Sequence, residues 1–278
     1  MNVTVRIEER IAFVAIANPP VNGLSHAVRV GLFEAFARIR DDADVDGVVL
    51  HGGGACFSAG GDLREFGSPA AKADPGLSKD VHPAIEACGK TVVAAIHGYA
   101  LGGGLETAMA CHRRIATPDA RLGLPEALIG VIPLSGTQRL PRLIGLEDAT
   151  DMIATGREVR AEDAPHALLD AVVDVEALLP TAAQLARAAA PLARDIPFPT
   201  TDAAAILAEA RRRVTSGQYP PFAHHLIAAI EAGATAISFD DGLARARAIY
   251  DATVDSLESK AARAAFLASR GARSKDRA

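Results

Sequence analysis

The sequence is poor in cysteine, in uninterrupted apolar stretches and in clustered positive charge. Its three cysteines, Cys56, Cys88 and Cys111, have no metal-ligand spacing and no disulfide framework. We therefore expect reduced, buried thiols in a cytoplasmic protein. No apolar segment approaches the roughly 20 residues of a membrane-spanning helix. The net charge of −5, without a long basic run, argues against nucleic acid and anionic membrane surfaces as partners.

The N-terminus also lacks the features of a secretory signal. Residues 1–8 alternate polar and apolar side chains, which is typical of a strand. They contain no basic start followed by a continuous apolar core, so we expect no signal peptide. The 278 residues, of which 49% are hydrophobic, suffice for one large domain or for a domain with a C-terminal appendage.

The pattern of predicted elements changes near residue 175. Before it, short β-branched runs alternate with amphipathic helices, which predicts an α/β body. After it, Ala-rich helical stretches follow one another without a strand, and the last of them, 238–270, has a break near Ser256. We therefore predict a core domain over 1–175 and a helical region over 176–278. Residues 67–80, rich in Gly, Pro, Ser, Ala and Lys, are predicted to form a mobile loop.

The most informative stretch is 96–106 (IHGYALGGGLE). It follows a predicted buried strand at 91–96 and precedes a predicted helix. Its three consecutive glycines let a ligand approach bare N–H groups, and a helix N-terminus adds unpaired donors and partial positive charge. This combination suits a developing oxyanion. The alternative is a tight strand-to-helix turn in which Glu106 merely stabilises the helix.

A second glycine-rich turn and a second glutamate extend this inventory. Gly60 and Gly61 follow another apolar segment, and Glu126 follows Pro125. An oxyanion hole needs two converging N–H donors. Adding water to an activated double bond needs one group that accepts a proton from water and one that delivers a proton to carbon. These four groups suit chemistry on a thioester whose carbonyl oxygen takes up the negative charge of an enolate. The alternatives are that Gly61 is only a hinge and that Glu126 is a surface carboxylate.

Three motifs in order carry a family resemblance. Residues 57–63 (FSAGGDL), 98–106 (GYALGGGLE), and 124–126 (LPE) with 136–140 (GTQRL) resemble the two donor motifs and the second-glutamate segment of the enoyl-CoA hydratase/isomerase (crotonase) superfamily. Further segments are similar to the hydratase half of multifunctional fatty-acid β-oxidation enzymes: 18–22 (NPPVN), 141–145 (PRLIG) and 261–270 (AARAAFLASR).

The resemblance implies a fold and four catalytic roles. The fold would be a crotonase-type ββα spiral with a helical C-terminal region. The N–H groups of Gly61 and Gly103 would bind the thioester oxygen. Glu106 would deprotonate water for attack at C3, and Glu126 would deliver a proton to C2. The implied reaction is reversible syn hydration of trans-2-enoyl-CoA to 3-hydroxyacyl-CoA.

The resemblance also implies how the substrate is held and how the chains assemble. Val21, Ala59 and Gly60 would contact the CoA adenine and pantetheine, and Arg64 could lie near a CoA phosphate. No metal or redox cofactor is expected. CoA is counted as part of the acyl-CoA substrate. Members of the family commonly form homotrimers or pairs of trimers, so a trimer or hexamer is expected here.

Departures from the family pattern keep two other functions open. Residues 132–137 (IPLSGT) are one residue shorter than usual, which affects the expected acyl-chain preference, and Gly61 stands where alanine is commoner. One alternative is a Δ3-Δ2 enoyl-CoA isomerase working through Glu126. The other is a catalytically silent CoA-binding or assembly subunit.

The histidines are not assigned to the reaction. His97 and His112 flank the central motif, while His224 and His225 are adjacent in the helical region. None has zinc spacing with another ligand in the sequence. A structural or exposed role is therefore predicted for each of them.

Overall fold

The computed structural model describes residues 2–275, so Met1 and residues 276–278 of the predicted domains lie outside it. The chain forms two compact units: Met1–Leu122 with Val159–Ile196, and Gly123–Glu158 with Pro197–Ala278. The strands of the described residues are β1 (Val3–Glu8), β2 (Ile11–Ile16), β3 (Gly47–Gly52), β4 (Thr91–Ile96), β5 (Tyr99–Leu101), β6 (Arg113–Ala116), β7 (Arg121–Gly123), β8 (Glu158–Arg160) and β9 (Ala171–Val172).

The α-helices of the described residues follow the predicted change in pattern. Those before residue 175 are α1 (His26–Asp41), α2 (Pro69–Lys72), α3 (His82–Glu86), α4 (Gly103–Ala110), α5 (Gly136–Ile144) and α6 (Leu146–Thr155). Those after it are α7 (Val175–Leu185), α8 (Ala203–Thr215), α9 (Ala223–Ala234), α10 (Phe239–Thr253) and α11 (Leu257–Lys275). The α/β class and the helical C-terminal region are confirmed, as is a helix break next to Ser256.

A six-stranded sheet organises the first unit. Its order is β1-β2-β3-β4-β6-β9, with β1 antiparallel to β2 and the other neighbours parallel. The central strand β4 is buried from Val92 to Ile96, because a parallel strand is covered on both faces and needs a continuous apolar run. A second sheet has the order β5-β7-β8.

Helix α7 covers one face of the six-stranded sheet. Its buried Leu178 and Ala182, and Ala186 directly after it, belong to the same hydrophobic core as Phe13 and Val93 of the strands. Residue 175, the predicted domain boundary, lies just after the last strand, β9. That it separates two domains stays a prediction. By compactness, α7 belongs to the first unit.

Residues 67–80 are more ordered than predicted. They contain α2 and the start of a π-helical segment, Leu77–Val81. The physical reason is Arg29 of α1, whose guanidinium is buried and donates to the carbonyl oxygens of Ala70, Ala73 and Pro75 at 2.7, 3.1 and 3.0 Å. These bonds fix a segment whose composition alone favours a loop.

The second unit, Gly123–Glu158 with Pro197–Ala278, consists mainly of helices. Its helix α9 contacts α5, α6, α8 and α10. Leu226, Ile227 and Ile230 of α9 are fully buried, and the side-chain amide of Gln138 donates to the Ala229 carbonyl at 3.0 Å. None of the helices within residues 2–275 is both long and apolar enough to span a bilayer. The three cysteines are buried and form no disulfide.

Candidate active site

Residues 57–63, called here the first donor loop, run alongside β5. Ser58 and Ala100 form a parallel β-bridge, in which the Ser58 N–H donates to the Tyr99 carbonyl at 2.9 Å and the Leu101 N–H donates to the Ser58 carbonyl at 3.0 Å. Because β5 leads directly into α4, this pairing brings Gly60 and Gly61 beside the start of that helix.

The two predicted donors, Gly61 and Gly103, are neighbours in space. A Cβ built on Gly103 would lie 3.6 Å from the Gly61 nitrogen, and one built on Gly60 would lie 3.3 Å from the Gly103 nitrogen. Gly103 is the first residue of α4, where N–H groups lack helical acceptors. Neither N–H donates to an acceptor within residues 2–275. The two amides are therefore available to a ligand.

Glycine is required where the loop and the helix approach each other. A Cβ on Gly104 would lie 2.4 Å from the Ser58 carbonyl oxygen, closer than any side chain allows. Gly60 has a φ of +93° and a Cβ there would lie 2.6 Å from the Leu101 oxygen. The glycines thus serve close backbone packing as well as ligand access.

Glu106 lies in the first turn of α4 and is only 7% exposed. Its position three residues after Gly103 places both on one face of the helix. Its backbone N–H donates to Gly102 at 2.9 Å. A carboxylate there is favoured by the positive end of the helix dipole. Glu106 is thus on the same helix turn as the predicted donor Gly103, and its catalytic role stays a prediction.

Sequence reasoning missed a buried network that holds the Gly103 peptide. The Thr107 hydroxyl donates to the Gly103 carbonyl at 2.7 Å, and His82 Nε2 lies 3.2 Å from the Thr107 oxygen. Since the hydroxyl proton is used on Gly103, Nε2 is the donor to Thr107. Both side chains are fully buried. No local sequence signal links His82 to α4, because α3 meets it only through the tertiary fold.

The predicted CoA loop around Val21 lies against the first donor loop. The Ala59 N–H donates to the Val21 carbonyl at 2.9 Å, and the Leu24 N–H donates to the Gly60 carbonyl at 2.8 Å. The Val21 side chain is 44% exposed. Val21, Ala59 and Gly60 are therefore brought together as the sequence predicts, and their contact with CoA stays a prediction.

Arg64 extends from this loop into solvent. Its side chain is 70% exposed and pairs with Asp62, with a nitrogen–oxygen distance of 2.7 Å. Hydrogen bonding from Arg64 lowers the pKa of Asp62. The guanidinium is accessible to a phosphate, but it would have to share its charge with Asp62. Contact of Arg64 with a CoA phosphate therefore stays a prediction.

Asn22 holds the two loops in register, and its replacement gives a first prediction. Its amide nitrogen donates to the carbonyls of Gly53 and Cys56 at 2.8 and 2.6 Å, and its oxygen accepts from the Asn18 N–H at 3.0 Å. We expect Asn22→Ala to lower the free energy of unfolding by about 2–4 kcal/mol, because buried polar groups lose their partners. Urea denaturation measures this loss.

A glycine variant separates the causes of that loss. Asn22 has a φ of +52°, which strains alanine but not glycine. Asn22→Gly removes the same side-chain bonds without the strain, so we expect it to be destabilised as well, but less than the alanine variant. Stability equal to that of the unmodified protein would contradict the role given to the amide.

Glu126 lies in the second unit, in a 3₁₀-helix over Pro125–Ile129 that ends at Gly130 with a φ of +65°. It is 8% exposed, so the alternative of a surface carboxylate is wrong. The Gly130 carbonyl accepts a hydrogen bond from the Ser259 hydroxyl of α11. A Cβ on Gly130 would lie 2.8 Å from the Ser259 Cα, so α11 packs closely against this turn. The pairing of Glu126 with Glu106 stays a prediction.

The histidines beside the central motif make structural contacts. His112 Nδ1 accepts from the Val92 N–H at 3.1 Å, and burial lowers the pKa of this imidazole. His97 Nε2 lies 2.9 Å from the Gly54 carbonyl. Both therefore support backbone of the first unit, in agreement with the structural role predicted for them.

Comparison with known proteins decides the family. A family model described as enoyl-CoA hydratase/isomerase matches residues 6–215, which include both donor loops and both glutamates. The chain belongs to the enoyl-CoA hydratase/isomerase family. The crystal structure of an enoyl-CoA hydratase from Bacillus anthracis shares the fold, with a TM-score of 0.63 and 29% identity over 92% of each chain. The expected crotonase fold is confirmed.

Curated relatives match part of their own length. A probable enoyl-CoA hydratase of Bacillus subtilis (strain 168) is 42% identical over 58% of this chain and 65% of its own. A glyoxysomal fatty acid beta-oxidation multifunctional protein of Cucumis sativus is 40% identical over 82% of this chain and 33% of its own. The chain thus spans less than two thirds of either family member. The predicted resemblance to multifunctional β-oxidation enzymes is confirmed at the level of sequence.

Proposed function

We propose that this family member is an enoyl-CoA hydratase, which adds water reversibly and with syn geometry to trans-2-enoyl-CoA. The observation that carries the proposal is the adjacency of the Gly61 and Gly103 nitrogens, with the buried Glu106 one turn further along α4. The names of the bacterial hydratase and of the glyoxysomal multifunctional relative support the same reaction class and a place in fatty-acid β-oxidation.

The donor pair supplies the electrostatic part of the reaction. When oxygen adds to C3, the electron pair of the C2–C3 double bond moves through the carbonyl and leaves negative charge on the thioester oxygen. The N–H groups of Gly61 and Gly103 donate to that oxygen, and the N-terminus of α4 adds partial positive charge. The enolate is thereby stabilised more than the neutral thioester, which lowers the barrier.

Two carboxyl groups handle the protons. Glu106, as the base, takes a proton from water while the water oxygen bonds to C3. Glu126, as the acid, gives a proton to C2, and the enolate returns to a thioester carbonyl. Water gives its hydroxyl group to C3 and a proton to Glu106, and Glu126 gives a proton to C2, so the substrate gains one water. Proton exchange with solvent then returns Glu106 to the carboxylate and Glu126 to the acid. No metal or redox group is needed in this scheme, because the two amides stabilise the enolate charge and adding water requires no oxidant or reductant.

The CoA portion is proposed to lie on the paired loops. Val21 is exposed and Ala59 is partly exposed, so their side chains offer a small apolar surface that suits adenine and pantetheine, while the buried Gly60 holds the turn beside them. Arg64, exposed at the same loop, offers a charge for phosphate. These contacts orient the thioester toward the donor pair and leave the acyl chain free to differ between substrates.

An absorbance assay tests the function. Adding protein to crotonyl-CoA should reduce the absorbance of the enoyl thioester as the conjugated double bond is hydrated. Rates over a series of chain lengths would then define the acyl preference. Unchanged absorbance at high protein concentration, with CoA still bound, would reject the hydratase and favour a silent CoA-binding subunit. The presence of Glu106 as well as Glu126 favours the hydratase over an isomerase that needs Glu126 alone.

Assembly and location complete the proposal. We infer a homotrimer or hexamer in the cytoplasm. The C-terminal region carries exposed apolar side chains that a subunit contact would cover, including Leu257 of α11, 87% exposed, and Ile237 between α9 and α10, 92% exposed. Light scattering of the purified protein should give three or six times the mass of one chain. A monomer at all concentrations would contradict this part.

A further inference from the structure

Two adjacent histidines at the start of α9 face a carboxylate of α11. One ligand atom from each of His224, His225 and Glu258 lies within 4.8 Å of the other two. Within the part of the chain that the structure describes, this is the one group of three such side chains close enough to share a metal ion. Sequence spacing hides it, because Glu258 lies far along the chain from the two histidines.

The ring of His224 is oriented for coordination. Its Nδ1 lies 2.7 Å from the Pro221 carbonyl oxygen. A carbonyl only accepts hydrogen bonds, so Nδ1 carries the proton and Nε2 keeps its lone pair. In metal-bound histidines, the ring nitrogen that does not bind the metal characteristically donates to a carbonyl, a carboxylate or water. This bond fixes both the tautomer and the ring plane. The residue is exposed, so an ion can reach it.

His225 is held beside it and faces Glu258. Its ring centroid lies 5.1 Å from that of Phe222 and 3.7 Å from that of His224. Its Nε2 lies 3.5 Å from Glu258 Oε2, longer than a charge-assisted hydrogen bond. Two ligand atoms on a tetrahedral zinc ion lie about 3.4 Å apart. Burial, with a further contribution from His224, lowers the pKa of His225.

We propose that His224, His225 and Glu258 form a binding site for a zinc-like divalent transition-metal ion that links α9 to α11. Two imidazoles and one carboxylate favour such an ion over Mg²⁺ or Ca²⁺, which prefer all-oxygen sites. Water fills the remaining position of a tetrahedral shell. The site is separate from the residues assigned to hydration, and its role is to hold α11 in place.

The linked helix also supports the segment that carries Glu126. Ser259 directly follows Glu258, and its hydroxyl donates to the Gly130 carbonyl at the end of the 3₁₀-helix Pro125–Ile129. Arg263 of α11 donates to the Ser259 oxygen at 2.6 Å and to the Val254 carbonyl at 2.7 Å. Fixing Glu258 on an ion therefore stabilises the first turn of α11 and the contact that it makes with Gly130.

Metal titration of the 278-residue chain, freed of metal by a chelator, tests the site. We expect one equivalent of Co²⁺ to produce the visible absorption of a tetrahedral complex and Zn²⁺ to displace it. His225→Gln and Glu258→Gln should each weaken Zn²⁺ binding, measured by calorimetry, at least about tenfold. His166→Gln, which alters an exposed histidine elsewhere, should bind Zn²⁺ as the unmodified protein does.

A second measurement reports the proposed link directly. Zn²⁺ should slow amide hydrogen exchange in the first turns of α11 in the unmodified protein and in His166→Gln, but not in Glu258→Gln. Circular dichroism of each variant confirms that it is folded. Binding that is equally strong in the site variants and in His166→Gln, or no binding at submillimolar Zn²⁺, would overturn the proposal.

Discussion

Replacing Glu106 with glutamine is expected to lower kcat for hydration of crotonyl-CoA by about 10²–10⁴-fold with little change in KM. Glutamine keeps the size and hydrogen-bonding capacity of the side chain but cannot accept a proton from water. Glu126→Gln should cause a loss of the same order, because an amide cannot give its proton to C2. Steady-state rates from the decline of enoyl absorbance measure both effects.

A matched control and a second substrate sharpen this test. Glu147→Gln removes an exposed carboxylate from the first turn of α6 and should leave kcat unchanged. Hydration at the normal rate by both site variants would reject the assignment. A 3-enoyl-CoA substrate separates the isomerase alternative: an isomerase should keep its rate in Glu106→Gln and lose it in Glu126→Gln.

Replacing Gly61 with proline is expected to lower kcat about 10²–10³-fold, since it removes one of the two proposed oxyanion donors. The N–H makes no hydrogen bond within the described residues, so its loss should cost little stability. Gly61 lies outside the positive-φ region. Proline also restricts the preceding residue, Gly60, so circular dichroism and CoA binding must show that the loop is intact.

Gly61→Ala is the control for this loss. A Cβ at Gly61 meets no heavy atom within 4 Å, so alanine fits and keeps the backbone N–H. We expect its kcat to remain close to that of the unmodified protein. Equal rates for the alanine and proline variants would show that the Gly61 amide does not contribute to the reaction.

Local features of the site could be predicted from the sequence, because they depend on neighbouring residues. The apolar run of β4, the glycines after it and the helix carrying Glu106 follow from β-branching, backbone freedom and periodicity. The order of the three motifs then gave the family. By contrast, the adjacency of Gly61 and Gly103 depends on the pairing of Ser58 with Ala100, which no local pattern contains.

What the sequence could not predict depends on single side chains that reach across the fold. Arg29 orders residues 67–80 by binding their carbonyl groups, whereas composition favours a loop. His82 reaches Thr107 only because α3 packs against α4. Glu258 meets His225 only after α11 has docked. Each contact joins distant positions, where spacing and periodicity carry no information.

The second unit is built from two separate stretches, and this affects how the chain is made. Helices α5 and α6 leave the ribosome before α8 and α9, the helices they pack against. Until then α5 and α6, whose Leu140, Met152 and Ile153 are fully buried in the finished protein, lack part of their packing partners. The nascent segment around Glu126 therefore depends on later synthesis for its shape, and a chain released after Ile196 would be a target for chaperones and aggregation.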